Sequence, residues 1–227
     1  MKRKRVIGAV VLAGVLIWVG YRAYLAHANL VTLNVRNMDI HRVVSKIEWQ
    51  TWERIIVNKN VGGLITLNVH KVPLDQVLDI LALQSGSRWT ALYPIYRASA
   101  SEGKFEKVVH GDVPAAENGW SNFDKLSTAR WGSMGGFGNT LRAANKLVSA
   151  QIDGKDVNFT ALALSRFSKA MVIPEDSVIA TINLKVEQAP FEKAVSTVAK
   201  QASRTWKRIY TIQPQRPVVV AAKQNPA

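Results

Sequence analysis

The segment Ile65–Ile95, ITLNVHKVPLDQVLDILALQSGSRWTALYPI, returns 117 residues later as INLKVEQAPFEKAVSTVAKQASRTWKRIYTI. At that offset Val31–Ile95 aligns with Val148–Ile212 without a gap, and thirteen of the 65 positions are identical. They are Val31, Asp39, Ile56, Val61, Ile65, Leu67, Val69, Pro73, Ala82, Gln84, Trp89, Tyr93 and Ile95, mostly residue types that proteins bury. A gapless duplication restricts the fold strongly, because each copy must be one supersecondary unit whose apolar positions close a core. The expected fold class is α+β, with two tandem small βαββαβ domains of about 65 residues after an N-terminal transmembrane helix.

Within the first copy, VTLNV at Val31–Val35 alternates as a half-buried strand does. Residues 36–39 read as a turn ending at Asp39, a helix-capping residue for the segment whose Ile40, Val43, Val44 and Ile47 share a helical face. Trp52–Val57 and Ile65–Val69 read as strands. Pro73 opens a second helix with Leu74, Val77, Leu78, Leu81 and Ala82 inward, and Gly86 stops it. Arg88–Tyr96 closes the unit with Trp89, Tyr93 and Ile95 on one face. The second copy repeats this order, with Asp156 capping and Pro190 opening the last helix.

Residues 97–147, a connecting segment rich in glycine and aromatics, have no counterpart elsewhere in the chain. Trp120, Phe123, Trp131 and Phe137 make it too apolar for a disordered spacer, and helices are expected at Phe123–Ser133 and Thr140–Leu147. Its aromatics either pack against one of the two domains or form an exposed partner-binding element. The glycines of Trp131–Gly138 lack the following Gly-Lys-Ser/Thr of a phosphate loop.

The leader bears on location. Lys2, Arg3, Lys4 and Arg5 precede an apolar run, which sets residues 1–5 as a cytoplasmic basic tail and 6–25 as a transmembrane anchor or signal segment. The alternative to a single-pass inner-membrane anchor is secretion to the periplasm after cleavage near Ala28. Both fates put residues 31–96 (first domain), 97–147, 148–213 (second, diverged copy) and 214–227 (C-terminal tail, with an edge strand expected at Val218–Ala222) outside the cytoplasm. The formal net charge is +14, and subtracting the five leader cations, Arg22 included, leaves +9 for the exported part. In that compartment the basic balance points to anionic polymer, lipid or an acidic protein and not to nucleic acid.

The pattern of residue types shows no enzyme. There is no cysteine, no GxSxG and no HExxH, and His27, His41, His70 and His110 are scattered. No cofactor or metal is expected.

The stretch IIVNKNVGGLITLNVHKVPLDQVLDILALQSG, with Val61, Gly63, Thr66, Leu67, Pro73, Leu74, Leu78, Asp79 and Leu81, resembles the short domain at the N-terminus of secretins and TonB-dependent transducers. The second copy keeps Val178, Leu184, Pro190 and Val198 but not the glycine and threonine. The resemblance implies helices packed across small sheets and a periplasmic docking role toward another envelope protein. The expected function is therefore a membrane-anchored adaptor or scaffold associated with a secretin, pilus or TonB-type system. The alternative is a module that binds anionic cell-wall polymer or the membrane surface. Candidate partner-binding residues lie where the copies differ: Gly62 and Gly63, Trp131 and Phe137 of the connecting segment, and Lys200, Arg204, Lys207 and Arg208 at the basic end of the second copy.

Overall fold

A computed structural model describes residues 28–124, 147–168 and 170–215, without the side chains of 167 and 168. The first copy runs β1 (Leu30–Asp39), α1 (Ile40–Thr51), β2 (Arg54–Val57), β3 (Leu64–Pro73), α2 (Leu74–Gln84) and β4 (Ser87–Tyr96). Helix α3 (Ser99–His110) and a 3-10 turn at Ala116–Asn118 follow. The second copy runs β5 (Leu147–Asp156), α4 (Val157–Ser168), β6 (Met171–Pro174), β7 (Thr181–Pro190), α5 (Phe191–Gln201), β8 (Thr205–Trp206) and β9 (Ile209–Pro214). The class is α+β. Among the described residues no helix is long and apolar enough to cross a membrane. The leader, Trp131, Phe137, Val218–Ala222 and nearly all of both helices expected at 123–147 lie outside the described residues.

Each copy forms a two-stranded antiparallel hairpin, β1 with β3 and β5 with β7. Their registers are the same at the 117-residue offset: Val35 faces Leu67 as Ile152 faces Leu184, and both hairpins bulge at equivalent places. Backbone strain is copied too, since Asn37, Lys71 and Gly86 take positive φ and so do Gly154, Gln188 and Ser203. Ser203 shows that this corner is kept even where glycine is lost. Residues 36–39, expected as a turn, instead extend β1 through a bulge to Asp39. Asp39 still caps α1, its carboxylate accepting from His41 N–H at 2.9 Å, and Asp156 accepts from Asn158 N–H at the same distance.

The two copies share one sheet and one apolar cluster, so the arrangement as two tandem domains is not shown by the structure. Strands β2 and β4 of the first copy do not touch; the second copy's β9 lies between them, in the order β2-β9-β4-β6. Parallel pairs flank the sheet, with Ile55 opposite Tyr210 and Val172 opposite Tyr93. At its centre β4 and β9 run antiparallel, with Leu92 opposite Ile209, the same position of the two copies. Trp89 faces Ile212 while Ile95 faces Trp206, so exchanging the copies returns the ladder to itself. A pseudo-twofold axis therefore passes between Leu92 and Ile209.

Alternation along the strands serves two cores. Ile55, Val57, Trp89, Tyr93, Ile95, Tyr210 and Ile212 join the four repeat helices and the hairpins in one continuous apolar cluster. Ile56, Leu92, Ile173 and Ile209 face the other way, onto Phe105, Val109, Trp120 and Phe123 of the connecting segment. That segment packs against the joint sheet, not against one domain, and Phe105 meets the Trp120 and Phe123 rings at 4.4 and 5.8 Å. Burial on both faces explains why β4 reads as a nearly unbroken apolar run.

Gly111 closes α3 at φ +91, and an added Cβ there would sit 2.9 Å from Asn58 Nδ2. The crowding arises because Asn58 ties three elements together, donating from its side chain to Val109 O and from its backbone to Ile212 O.

Two outcomes are expected. Residues 28–124 and 147–215 expressed separately give no cooperative urea transition, and mixing them restores one, because each half lacks the strand that fills its sheet. Trp120→Ala in the intact chain lowers the unfolding free energy by about 3–5 kcal/mol in the same denaturation experiment.

Candidate functional site

Three ionic clusters hold the copies and the connecting segment together. Arg54 of β2 makes a bidentate pair with Glu106 of α3, at 2.8 and 2.9 Å, and a 3.1 Å contact with Glu48 of α1. Lys207 pairs with Glu102 of α3 at 2.5 Å. Arg208 donates to Glu53 of the first copy and, at 2.6 Å, to Glu192 of the second. Its guanidinium lies 5.6 Å from the centre of the Tyr210 ring.

These surroundings move several ionisations. Burial alone would make Arg208 less basic, but its glutamate partners outweigh it and hold the charge more firmly than usual. Burial pushes Tyr210 up to about 12, with Arg208 opposing and the glutamates reinforcing the rise. Tyr93 and Tyr96 are raised as well, first by burial; Tyr96 also donates to Glu102 at 2.8 Å. Burial pushes Glu102 up, yet the hydrogen bonds from Lys207 and Tyr96 prevail and leave its carboxyl below the usual range.

The residues expected to bind a partner are thereby placed. Arg208 is largely covered and pairs with Glu53 and Glu192, Lys207 is exposed and pairs with Glu102, Arg204 is half-buried with its guanidinium on Ser203 O at 3.0 Å, and Lys200 is exposed at the end of α5. Gly62 and Gly63 are exposed, in the loop before β3. Gly63 has φ +140 and its carbonyl accepts from Ile40 N–H at the start of α1, a bond that Ala180 repeats with Val157. Gly63 is thus explained by local backbone geometry. No arrangement of three or more metal-ligating side chains occurs among the described residues.

What the structure does present is strand edge. Each hairpin strand pairs on one side only, and such edges are open to another chain unless they are blunted. Three of the four are closed at one point by a glutamine. At the bulge of β3, Thr66 N–H donates to Gln84 Oε1 at 3.0 Å and Gln84 Nε2 donates to Thr66 O at 2.9 Å. Gln201 does the same to Asn183 on β7 at 2.8 and 2.7 Å, and Gln50 to Thr32 on β1 at 3.0 and 2.9 Å. A primary amide offers one N–H and one C=O, the pair that a neighbouring strand would supply.

Sequence reasoning passed over these glutamines, although one signal was present. Gln84 and Asp39 are the only non-aromatic polar residues among the identical positions. In a repeat whose other identities are apolar or aromatic, a kept polar residue marks a backbone group that needs a partner.

No known protein family, no curated protein and no solved structure matches the chain.

The tyrosine shifts set an alkaline limit. A raised folded-state pKa favours the neutral form, so the stability it confers is complete below the ordinary tyrosine value of about 10. It is lost as pH rises through about 12 for Tyr210. Tyrosinate absorbance and loss of helical circular dichroism are expected to rise together in that window. At the acid end Glu102 contributes above the ordinary glutamate value of about 4.3, and the contribution disappears as pH falls through its lower folded value. Glu102→Gln is accordingly expected to flatten the acid limb of a stability-against-pH curve.

Proposed function

We propose that this chain is a membrane-anchored extracytoplasmic adaptor that binds another envelope protein, of the secretin, pilus or TonB-type class. The observation that carries the reading is the pair of two-stranded sheets with ten-residue strands, separate from the shared sheet, each strand paired on one side only. Small sheets with accessible edges accept extended segments by main-chain hydrogen bonding. The basic leader with its apolar run supports the anchor, and the likeness of the first copy to the secretin and TonB short domain supports the docking role.

The competing reading, a binder of anionic cell-wall polymer or lipid, leaned on the basic end of the second copy. Of its cations, Arg208 is largely covered and held between Glu53 and Glu192, and Lys207 shares its charge with Glu102, which leaves less of that end for an external anion. The adaptor reading is preferred for that reason.

The test uses the full chain in its own membranes. Fractionation is expected to place it in the inner membrane, and chemical crosslinking before detergent extraction is expected to retain a stoichiometric protein partner at moderate salt. Sedimentation with purified cell wall in a salt-sensitive manner, with no protein crosslinked, overturns the adaptor in favour of the polymer binder.

A further inference from the structure

The corner of the first copy that adjoins the leader carries two exposed tryptophans. Trp49 and Trp52, at the C-terminal end of α1, are 62% and 67% exposed. Trp52 caps the helix at φ +58, its N–H donating to Glu48 O at 2.8 Å. Glycine or asparagine usually serves at such a cap, and a bulky residue is strained at positive φ. With so little of Trp52 buried, packing does not offset that strain. The matching positions of the second copy are 166 and 169, where the sequence has arginine and lysine, so the shared fold asks for no aromatic at either. The tryptophans belong to the copy that follows the leader.

The same corner is fixed beside the start of the described chain. Between the two tryptophans, the Gln50 amide holds Thr32 of β1 in both directions. Leu74 N–H donates to Asn29 O at 2.8 Å, and Pro73 pairs with Leu30. The apolar run of the leader ends at Leu25, five residues before Leu30. A fully extended chain covers about 3.5 Å per residue, so Leu30 stands no more than roughly 18 Å from the end of that run. The acidic residues flanking Trp49 and Trp52 are turned toward cations: Glu48 pairs with Arg54 and Glu53 with Arg208, and their side chains are only 23% and 15% exposed. Neither carboxylate would meet a lipid surface unpaired.

We infer that Trp49 and Trp52 seat this corner in the headgroup layer of the bilayer that holds the leader, so that the membrane surface is itself a partner of the folded part. This rests on the anchored reading and adds a second contact with the same membrane. Indole suits that layer because it joins a large apolar ring to one N–H donor, and tryptophan is enriched at membrane–water interfaces for that reason. Exposed tryptophans also anchor protein interfaces. Here the short tether decides for lipid, since it keeps the corner at the bilayer whether or not another protein is present.

The experiment uses the full chain reconstituted in phosphatidylcholine vesicles. Subtracting the emission of the Trp49→Phe/Trp52→Phe variant from that of the unaltered chain isolates the two indoles. If the double variant loses helical circular dichroism, the single variants Trp49→Phe and Trp52→Phe give the same difference one indole at a time. Three quenchers are compared: lipid brominated near the headgroup, lipid brominated near the chain ends, and iodide present on both faces of the vesicles. The expected result is that shallow bromine removes at least half of the difference emission, deep bromine removes less and iodide removes little. Free quenching by iodide overturns the inference, as does stronger quenching by deep than by shallow bromine. So does emission that no quencher reaches, which assigns the cover to the leader or to a second copy of the chain. Alkaline carbonate extraction of the same vesicles tests the anchor separately. A chain that resists extraction while iodide reaches the indoles keeps its anchor and loses this surface; a chain that is stripped by carbonate although shallow bromine had quenched it loses the anchor and keeps the surface.

Discussion

The ladder between β4 and β9 is the contact on which the remaining architecture hangs. It joins the closing strands of the two copies, with Leu92 facing Ile209 on the pseudo-twofold axis. Each of these strands then serves as the inner neighbour of a short strand from the other copy, β2 for β9 and β6 for β4. Helices cover one side of the resulting sheet and the connecting segment covers the other. A unit of about 65 residues has little core of its own, and interleaving lets two such units bury one sheet in common. The ionic clusters at Arg54, Lys207 and Arg208 lie across these joins, and at Arg208, the least exposed of the three cations, removing one partner leaves a poorly solvated charge behind.

Much of the unit was legible in the sequence because periodicity and caps are local signals. Asp39, Pro73 and Gly86 stand at helix ends as their chemistry requires, and Trp89, Tyr93 and Ile95 share the face that alternation gives them. The exchange of strands was not legible. An isolated unit and an interleaved pair need the same apolar pattern in β2, β4, β6 and β9, and only the identity of the neighbour differs. The bulges were also hidden, since Arg36–Asp39 carries residues that suit a turn as well as an irregular strand.

The reading of charge needed the structure most. Arg204, Lys207 and Arg208 look in sequence like a basic patch, but of the acidic residues that engage two of them Glu53 and Glu102 come from distant parts of the chain and Glu192 from the preceding helix. Conversely, the glutamines that blunt the hairpin edges draw no attention as a residue type. Their meaning lies in geometry, an amide held by two hydrogen bonds to the N–H and C=O of a bulged residue. The duplication made the comparison interpretable: two copies of one backbone with different side chains show which residues the fold demands and which were free to diverge.

The interleaved sheet also imposes a timetable. Arg54 must wait for Ile209 and Trp89 for Ile212, so pairings of β2 and β4 in the first copy are completed only once β9 of the second has been made. Distant pairings of this kind close slowly. Without β9, β2 has no strand beside it to pair with. Pairing of β4 with β6 needs no residue beyond Pro174, whereas β2 has no strand partner before β9, so the sheet is completed last on its β2 side.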